Sequence, residues 1–277
     1  MCGIVGIFDT QGKREIDRRI LNELNQTQKH RGPDEGELYL EPGVGFGHRR
    51  LSIMDVSSGQ QPLFNEDGSV VVIFNGEIYN YQELAKELVA RGHLFRTHCD
   101  TEVIVHAWEE WGEQCVDRFR GMFAFGLWDR NQNTLFIARD RLGIKPLYYA
   151  LLKNGLFIFS SELKAIHTHP EFVKEFDHFA IEEYFAYGYI PEPRTIYKDA
   201  QKLSPGYSIK LSPHRNQIQP RQYWDVPFTP HTDMSEQLVE QELIARFREA
   251  VDIHLMSEVP LGAFLSGGVD SSAVVAM

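Results

Sequence analysis

The chain opens Met1-Cys2-Gly3-Ile4-Val5-Gly6-Ile7-Phe8-Asp9, a thiol one residue in from the terminus followed by a short apolar run. Removal of the initiator methionine, which a small second residue permits, would leave Cys2 with a nucleophilic thiol and a free α-amine on the same residue. An α-amine titrates at about 7.7–8.0, close enough to neutrality to take the thiol proton directly or through a water. Nucleophile and base then need no other side chain. The competing reading, a small apolar side chain at the start of a buried strand, is the commoner use of a free cysteine. What weighs between the two lies further along the chain.

An acyl-transfer site also needs donors for a developing oxyanion. Val70-Val71-Val72-Ile73-Phe74 is a β-branched run ended by Asn75-Gly76, and that dipeptide offers a side-chain amide and an unobstructed backbone N–H. Taken alone, Asn-Gly spells a type I′ hairpin turn. Residues 134–138 and 156–160 are similar short strands bounded by turn residues, and all three read as strands buried on both faces. Between them, residues 82–91 and 100–111 place apolar side chains at helical spacing with one buried stripe each. The mixture predicts sheets with helices packed outside them, a layered α and β domain reaching to about residue 207.

The bulk properties narrow the function classes. Asp plus Glu outnumber Lys plus Arg by 39 to 28, so a net charge of -11 opposes binding to phosphate backbones or anionic lipid. No basic run offsets it, and the reading expects neither nucleic acid nor membrane as a partner. Three cysteines, Cys2, Cys99 and Cys115, are an odd number without repeated spacing, which points to a reducing compartment rather than a disulfide framework. The apolar start is too short for a signal peptide, so the cytoplasm is the expected location.

From Tyr223 to Pro230 the sequence turns proline-rich and loses periodicity, placing a boundary near residues 225–235. Beyond it, 236–256 carries a helical pattern, 259–265 reads as a strand, and Ser266-Gly267-Gly268 leads into another helix that runs to Met277. A unit that stops one turn into its second helix cannot bury a core of its own. The expectation is therefore the front part of a longer protein.

Six blocks now stand in order: Met1-Cys2-Gly3-Ile4, His30-Arg31-Gly32-Pro33-Asp34, His48-Arg49-Arg50-Leu51-Ser52-Ile53, Phe74-Asn75-Gly76-Glu77-Ile78-Tyr79-Asn80, Thr97-His98-Cys99-Asp100-Thr101-Glu102 and Ser266-Gly267-Gly268-Val269-Asp270-Ser271-Ser272. Together they resemble the glutamine-hydrolysing asparagine synthetase family. The resemblance implies an α+β, four-layer αββα N-terminal-nucleophile hydrolase fold, followed by the truncated start of an α/β ATP-pyrophosphatase domain. It divides the chain into a class II glutamine amidotransferase domain over 2–222, a linker over 223–235, and a synthetase fragment over 236–277.

The resemblance also implies roles. Cys2 would attack the glutamine amide carbon and release ammonia, with Asn75 and Gly76 holding the oxyanion. Arg50, whose rigid fork suits a carboxylate, would bind the substrate α-carboxylate. Glu77 and Asp100 would receive the α-ammonium, with the backbone of Leu51 and Ile53 close by. Ser266, Gly267, Gly268, Asp270, Ser271 and Ser272 would cradle ATP pyrophosphate at a helix N-terminus, although the Walker A spacing is absent. Glutamine, aspartate and ATP are then the substrates. No cofactor serves the glutaminase step, Mg-ATP serves the synthetase step, and a homodimer stays open. A different carboxylate acceptor, or a silent glutaminase-like domain kept for docking, are the alternatives.

No metal ligand set is expected within the glutaminase domain. His98, Cys99, Glu102 and His106 lie close in sequence but match neither C-x-x-C nor H-E-x-x-H. His167-Thr168-His169-Pro170 reads as a helix end and a turn, and Phe123, Phe125 and Trp128 as strand core.

Overall fold

The computed structural model describes residues 1–12, 14–53, 55, 58–214, 218–228 and 234–277. The first half runs β1 (Gly3–Asp9), α1 (Arg18–Gln26), β2 (Glu35–Glu41), β3 (Val44–Arg50), β4 (Leu63–Phe64), β5 (Val70–Ile78), α2 (Tyr81–Ala90), α3 (Glu102–Trp111), α4 (Cys115–Arg118) and β6 (Gly121–Asp129). It continues with β7 (Thr134–Arg139), β8 (Tyr148–Leu151), β9 (Leu156–Ser160), α5 (Leu163–Thr168), α6 (His178–Tyr187), β10 (Ala200–Lys202), β11 (Tyr207–Leu211), β12 (Arg221–Gln222), α7 (Glu236–His254) and α8 (Val269–Ala276).

The strands form two six-stranded sheets, ordered β10-β8-β9-β1-β3-β2 and β12-β11-β7-β6-β5-β4, and every pairing is antiparallel. Alternation along single strands stacks the layers. On β5, Val70, Val72 and Phe74 pack against Leu84 and Leu88 of α2 and Val103, Ala107 and Trp108 of α3, while Val71 and Ile73 face the other sheet. On β1, Ile4 and Phe8 join that central core, while Val5 and Ile7 meet Leu21 and Leu24 of α1 and Ile166 of α5. A strand with apolar residues on both faces reads as a continuous run because each face has its own core to fill. Three cores separate four layers, helix, sheet, sheet, helix.

The sheets close on one another around Phe159 of β9. A Cβ on Gly6 of β1 would overlap its ring, and one on Gly126 of β6, in the opposite sheet, would fall 2.6 Å from its Cε2. His48 of β3 is a second tie: it is fully buried and its Nε2 donates to the Phe74 carbonyl of β5 at 3.1 Å.

Two sequence expectations are corrected. Asn75-Gly76 neither ends the β-branched run nor forms a hairpin turn; β5 continues to Ile78, with Asn75 opposite Ala124 and Gly76 opposite Phe123 of β6. The ladder carries on because Gly76 lets the β6 backbone approach: a Cβ there would collide with the Met122 carbonyl oxygen and lie 2.7 Å from the Phe123 Cα. Residues 259–265 are not a strand either. No described strand pairs with them, Phe264 is fully exposed, and an unpaired strand leaves its backbone groups without partners. The expected helices and the 156–160 strand are present, with ends shifted by a residue or two.

Part of the linker expected over 223–235, residues 229–233, lies outside the described residues. After it, Ser235 caps α7 by accepting from the Leu238 N–H at 3.3 Å. The helix leans on the first layer through Arg120 and Glu249 at 2.6 Å and through the rings of His254 and Tyr79, 4.4 Å apart. Among the described residues no helix is long and apolar enough to cross a membrane.

Candidate active site

The register of β1 on β3 sets Gly3 opposite Arg49, which brings Cys2 beside the end of β3. Its thiol lies 3.8 Å from the Leu51 carbonyl oxygen, and its own carbonyl accepts from Arg31 Nε at 2.8 Å. Arg31 is held in turn by Glu162 at 3.2 Å. Asp34, from the same His-Arg-Gly-Pro-Asp block, fastens the segment leaving β3: its N–H donates to the Arg50 carbonyl at 3.1 Å and its carboxylate accepts from the Ser52 N–H at 2.9 Å.

Cys2, Arg50, Leu51, Ile53, Gly76, Glu77 and Asp100, seven residues singled out from the sequence, line one small cleft. Gly59, Gln61, Phe74, Cys99 and Thr101 complete its wall. The Ile53 carbonyl at its rim accepts from the Glu258 N–H at 3.2 Å, so the segment following α7 reaches the cleft. Ser266 to Ser272 stand apart at the start of α8.

Charge inside the cleft is divided. The Arg50 guanidinium is 3% exposed and is fixed by the Asp55 carbonyl at 2.7 Å and the Glu35 carboxylate at 3.2 Å. Asp100 accepts from the Ile78 N–H at 2.8 Å. Burial raises the carboxyls of Glu77 and Asp100 above their usual range, and the charge on Asp100 pushes Glu77 further up. Two neighbouring carboxyls, Asp100 buried and Glu77 half-buried, resist ionising together.

Asn75 lies in β5 between the lining residues Phe74 and Gly76. Its neighbouring peptide is clamped: Phe74 N–H donates to Gln61 Oε1 at 2.7 Å, and Phe74 C=O receives His48, whose burial brings its pKa down to about 3 and keeps it neutral. Yet Asn75 is 1% exposed, and among the described residues neither its amide nitrogen nor its oxygen has a hydrogen-bond partner. A buried unpaired amide costs about 1–3 kcal/mol, which leaves this donor free for a group that enters the cleft.

Burial also pushes the Cys2 thiol up and pulls the chain's terminal amine down. Lys145 was passed over in the sequence, where a lone lysine between β7 and β8 carries no pattern. It is buried near Cys2 and Glu77, and burial lowers its ammonium from the usual lysine range. At the other end, Gly268 caps α8 with no side-chain hydrogen bond, Gly267 has φ +82°, and Ser266 and Ser271 hydroxyls sit 3.0 Å apart. The open helix N-terminus and its hydroxyls suit an anion.

Comparison with known proteins agrees with this geometry. A glutamine amidotransferase domain family matches residues 1–224, and an asparagine synthase family matches residues 242–277. Among curated relatives, asparagine synthetase [glutamine-hydrolyzing] 3 of Bacillus subtilis strain 168 is 39% identical over 280 residues, covering 100% of this chain and 45% of its own. Asparagine synthetase [glutamine-hydrolyzing] 1 of the same strain is 39% identical over 279 residues, covering 100% and 44%. The chain thus spans less than half the length of these relatives. A solved structure of glutamine phosphoribosylpyrophosphate amidotransferase from B. subtilis shares the fold, with TM-score 0.58 at 15% identity over 99% of this chain and 63% of that one. Residues 1–224 hold both sheets and every lining residue of the cleft, and on that span the chain belongs to the glutamine amidotransferase domain family.

Proposed function

We propose that the chain is the glutaminase portion of a glutamine-dependent amidotransferase of the asparagine synthetase type, with residues 2–222 as the glutaminase domain, 223–235 as linker and 236–277 as the start of the synthetase domain. The observation that carries this reading is a small cleft holding a thiol, a fixed guanidinium, two carboxyls, one buried and one half-buried, and, beside them, a buried amide without a partner among the described residues. A free amino acid presents one carboxylate, one ammonium and, in glutamine, one reactive amide. Arg50 takes the first, Glu77 and Asp100 the second, and Cys2 meets the third.

With Met1 removed, the α-amine of Cys2, whose ordinary pKa of about 7.7–8.0 leaves much of it neutral near pH 8, accepts the thiol proton. Sulfur bonds to the amide carbon, and the oxyanion is held by Asn75 Nδ2 and the Gly76 N–H. The carbon–nitrogen bond breaks as the amine returns the proton to departing ammonia. Water then hydrolyses the thioester, giving glutamate and restoring the thiol. Aspartate and ATP are the remaining substrates of the whole enzyme. The open start of α8, with Ser266, Gly267, Gly268, Ser271 and Ser272, fits the pyrophosphate of ATP, and Asp270 in its first turn fits a Mg²⁺ carried with the nucleotide. The expected setting is the cytoplasm, acting on small molecules only.

The test is glutamate release from glutamine by the processed chain, with mass spectrometry establishing Cys2 as the terminus. Cys2→Ala should abolish release while its melting curve stays near that of the parent. A folded Cys2→Ala protein that still produces glutamate would sink the assignment.

A further inference from the structure

Outside the cleft residues, three segments converge on the helical side of the β5 sheet: Glu66 in the turn between β4 and β5, His93 after α2, and His106 and Glu109 on α3. One ligand atom from each of the four lies within 4.8 Å of the others. His93 Nδ1 stands 3.3 Å from Glu66 Oε1 and 3.7 Å from Glu109 Oε2. His106 Nδ1 stands 3.5 Å from the same Glu66 oxygen and 3.3 Å from the same Glu109 oxygen. A tetrahedral ion with bonds of about 2.0–2.1 Å has edges of roughly 3.3–3.4 Å, and four of the six edges here match that within a few tenths of an ångström. All four exceed the roughly 2.7–3.2 Å of a good N–H···O bond. An Nδ1–H also points along one axis and serves one oxygen, whereas each of these nitrogens faces two.

The surroundings are those of ligands held in place. His106 is fully buried, its Nε2 has no hydrogen-bond partner among the described residues, and it faces Glu102 Oε1 at 3.6 Å; His93 Nε2 faces Glu110 Oε2 at 3.7 Å. Both imidazoles thus turn one nitrogen to the shared centre and leave the other near a carboxylate, at ion-pair rather than hydrogen-bond distance. The outer oxygen of Glu109 accepts from Asn65 Nδ2 at 2.7 Å, and Glu66 Oε1 accepts from the Leu94 N–H at 2.9 Å.

We propose that Glu66, His93, His106 and Glu109 bind a divalent cation of the zinc class in tetrahedral N₂O₂ coordination, tying the β4–β5 turn and the segment after α2 to α3. Two imidazoles and two carboxylates suit zinc better than magnesium or calcium, which take oxygen shells.

The test uses the whole chain in a Cys2→Ala background, which removes the half-buried cleft thiol as a competing ligand. Chelator-stripped, untagged protein is dialysed against ZnCl₂, metal content is measured by mass spectrometry, and affinity by competition with a chromophoric chelator. His93→Gln and Glu109→Gln are chosen because each keeps a polar side chain of similar reach, and melting curves without zinc establish that each variant folds like the parent. The expected result is one zinc per chain, a zinc-dependent rise in Tm, and at least tenfold weaker binding with loss of the Tm rise in either variant. Absence of stoichiometric zinc, or zinc held equally well by both variants, overturns the proposal and leaves an ion-pair cluster.

Discussion

Asp100→Asn separates a receptor for ammonium from a structural carboxylate. The substitution keeps the size of the side chain and an oxygen for the Ile78 N–H, now 2.8 Å away, and deletes one charge. A hydrogen bond to a charged group contributes about 1.5–3 kcal/mol, which at about 1.36 kcal/mol per decade is roughly a 10- to 150-fold rise in the glutamine KM. Stability should move the other way. Burial holds the carboxyls of Asp100 and Glu77 above their unfolded values, so over the window between those values the folded chain binds more protons and ligand-free stability falls as pH rises. Below that window both states are neutral and the effect vanishes. The variant should therefore melt above its parent at pH 8 and close to it at pH 4. Glu77, relieved of its charged neighbour, drops toward the ordinary carboxyl range, and the pH below which glutamine binds poorly drops with it. Initial rates of glutamate release across pH 6–9 and melting curves without glutamine measure all three. A KM within twofold of the parent, or a variant that melts lower at pH 8, would refute the reasoning.

Asn75→Ala should lower kcat about 10²- to 10³-fold with little change in KM, since its amide acts only on the oxyanion. The same change removes an unpaired buried amide, so Tm should hold or rise; a KM effect larger than the kcat effect would argue that Asn75 binds the ground state. Gly76→Ala places a methyl against the β6 backbone, where overpacking costs about 1–3 kcal/mol, or roughly 2–12 °C in Tm for a domain of this size. An Ala variant melting with the parent would mean that β5 and β6 can separate there without penalty.

Legibility in the sequence followed the locality of the physics. Val70 to Phe74 was readable as a doubly buried strand because its alternate residues serve two cores and none can be polar. Arg50, Glu77 and Asp100 were named through a family resemblance, and nothing in their spacing told that strand register and a loop would carry them into one cleft. Asn75-Gly76 misled locally because its turn preference is real, yet nine paired positions along β6 outweigh it. Residues 259–265 misled in the opposite sense, since an apolar run becomes a strand only where a neighbour supplies hydrogen bonds. Lys145 was invisible because its burial beside Cys2 depends on the path between β7 and β8. The Glu66, His93, His106 and Glu109 group was missed for the same reason: the sequence invited a search near His106, where His98 and Cys99 are adjacent in the chain, whereas the atoms that meet come from three separate segments.

The ring of Phe159, seated between a glycine of each sheet, has a consequence for how this protein can change over time. Neither Gly6 nor Gly126 can gain a side chain while that ring remains, and removing the ring first opens a void that both sheets border. The three positions therefore form a single unit of variation with a valley on every one-step path out of it. Drift that freely rewrites the surface of α1 or α7 should leave this trio together or replace it together, and homologues that carry alanine at one of the two glycines should be found to have traded the phenylalanine for something smaller.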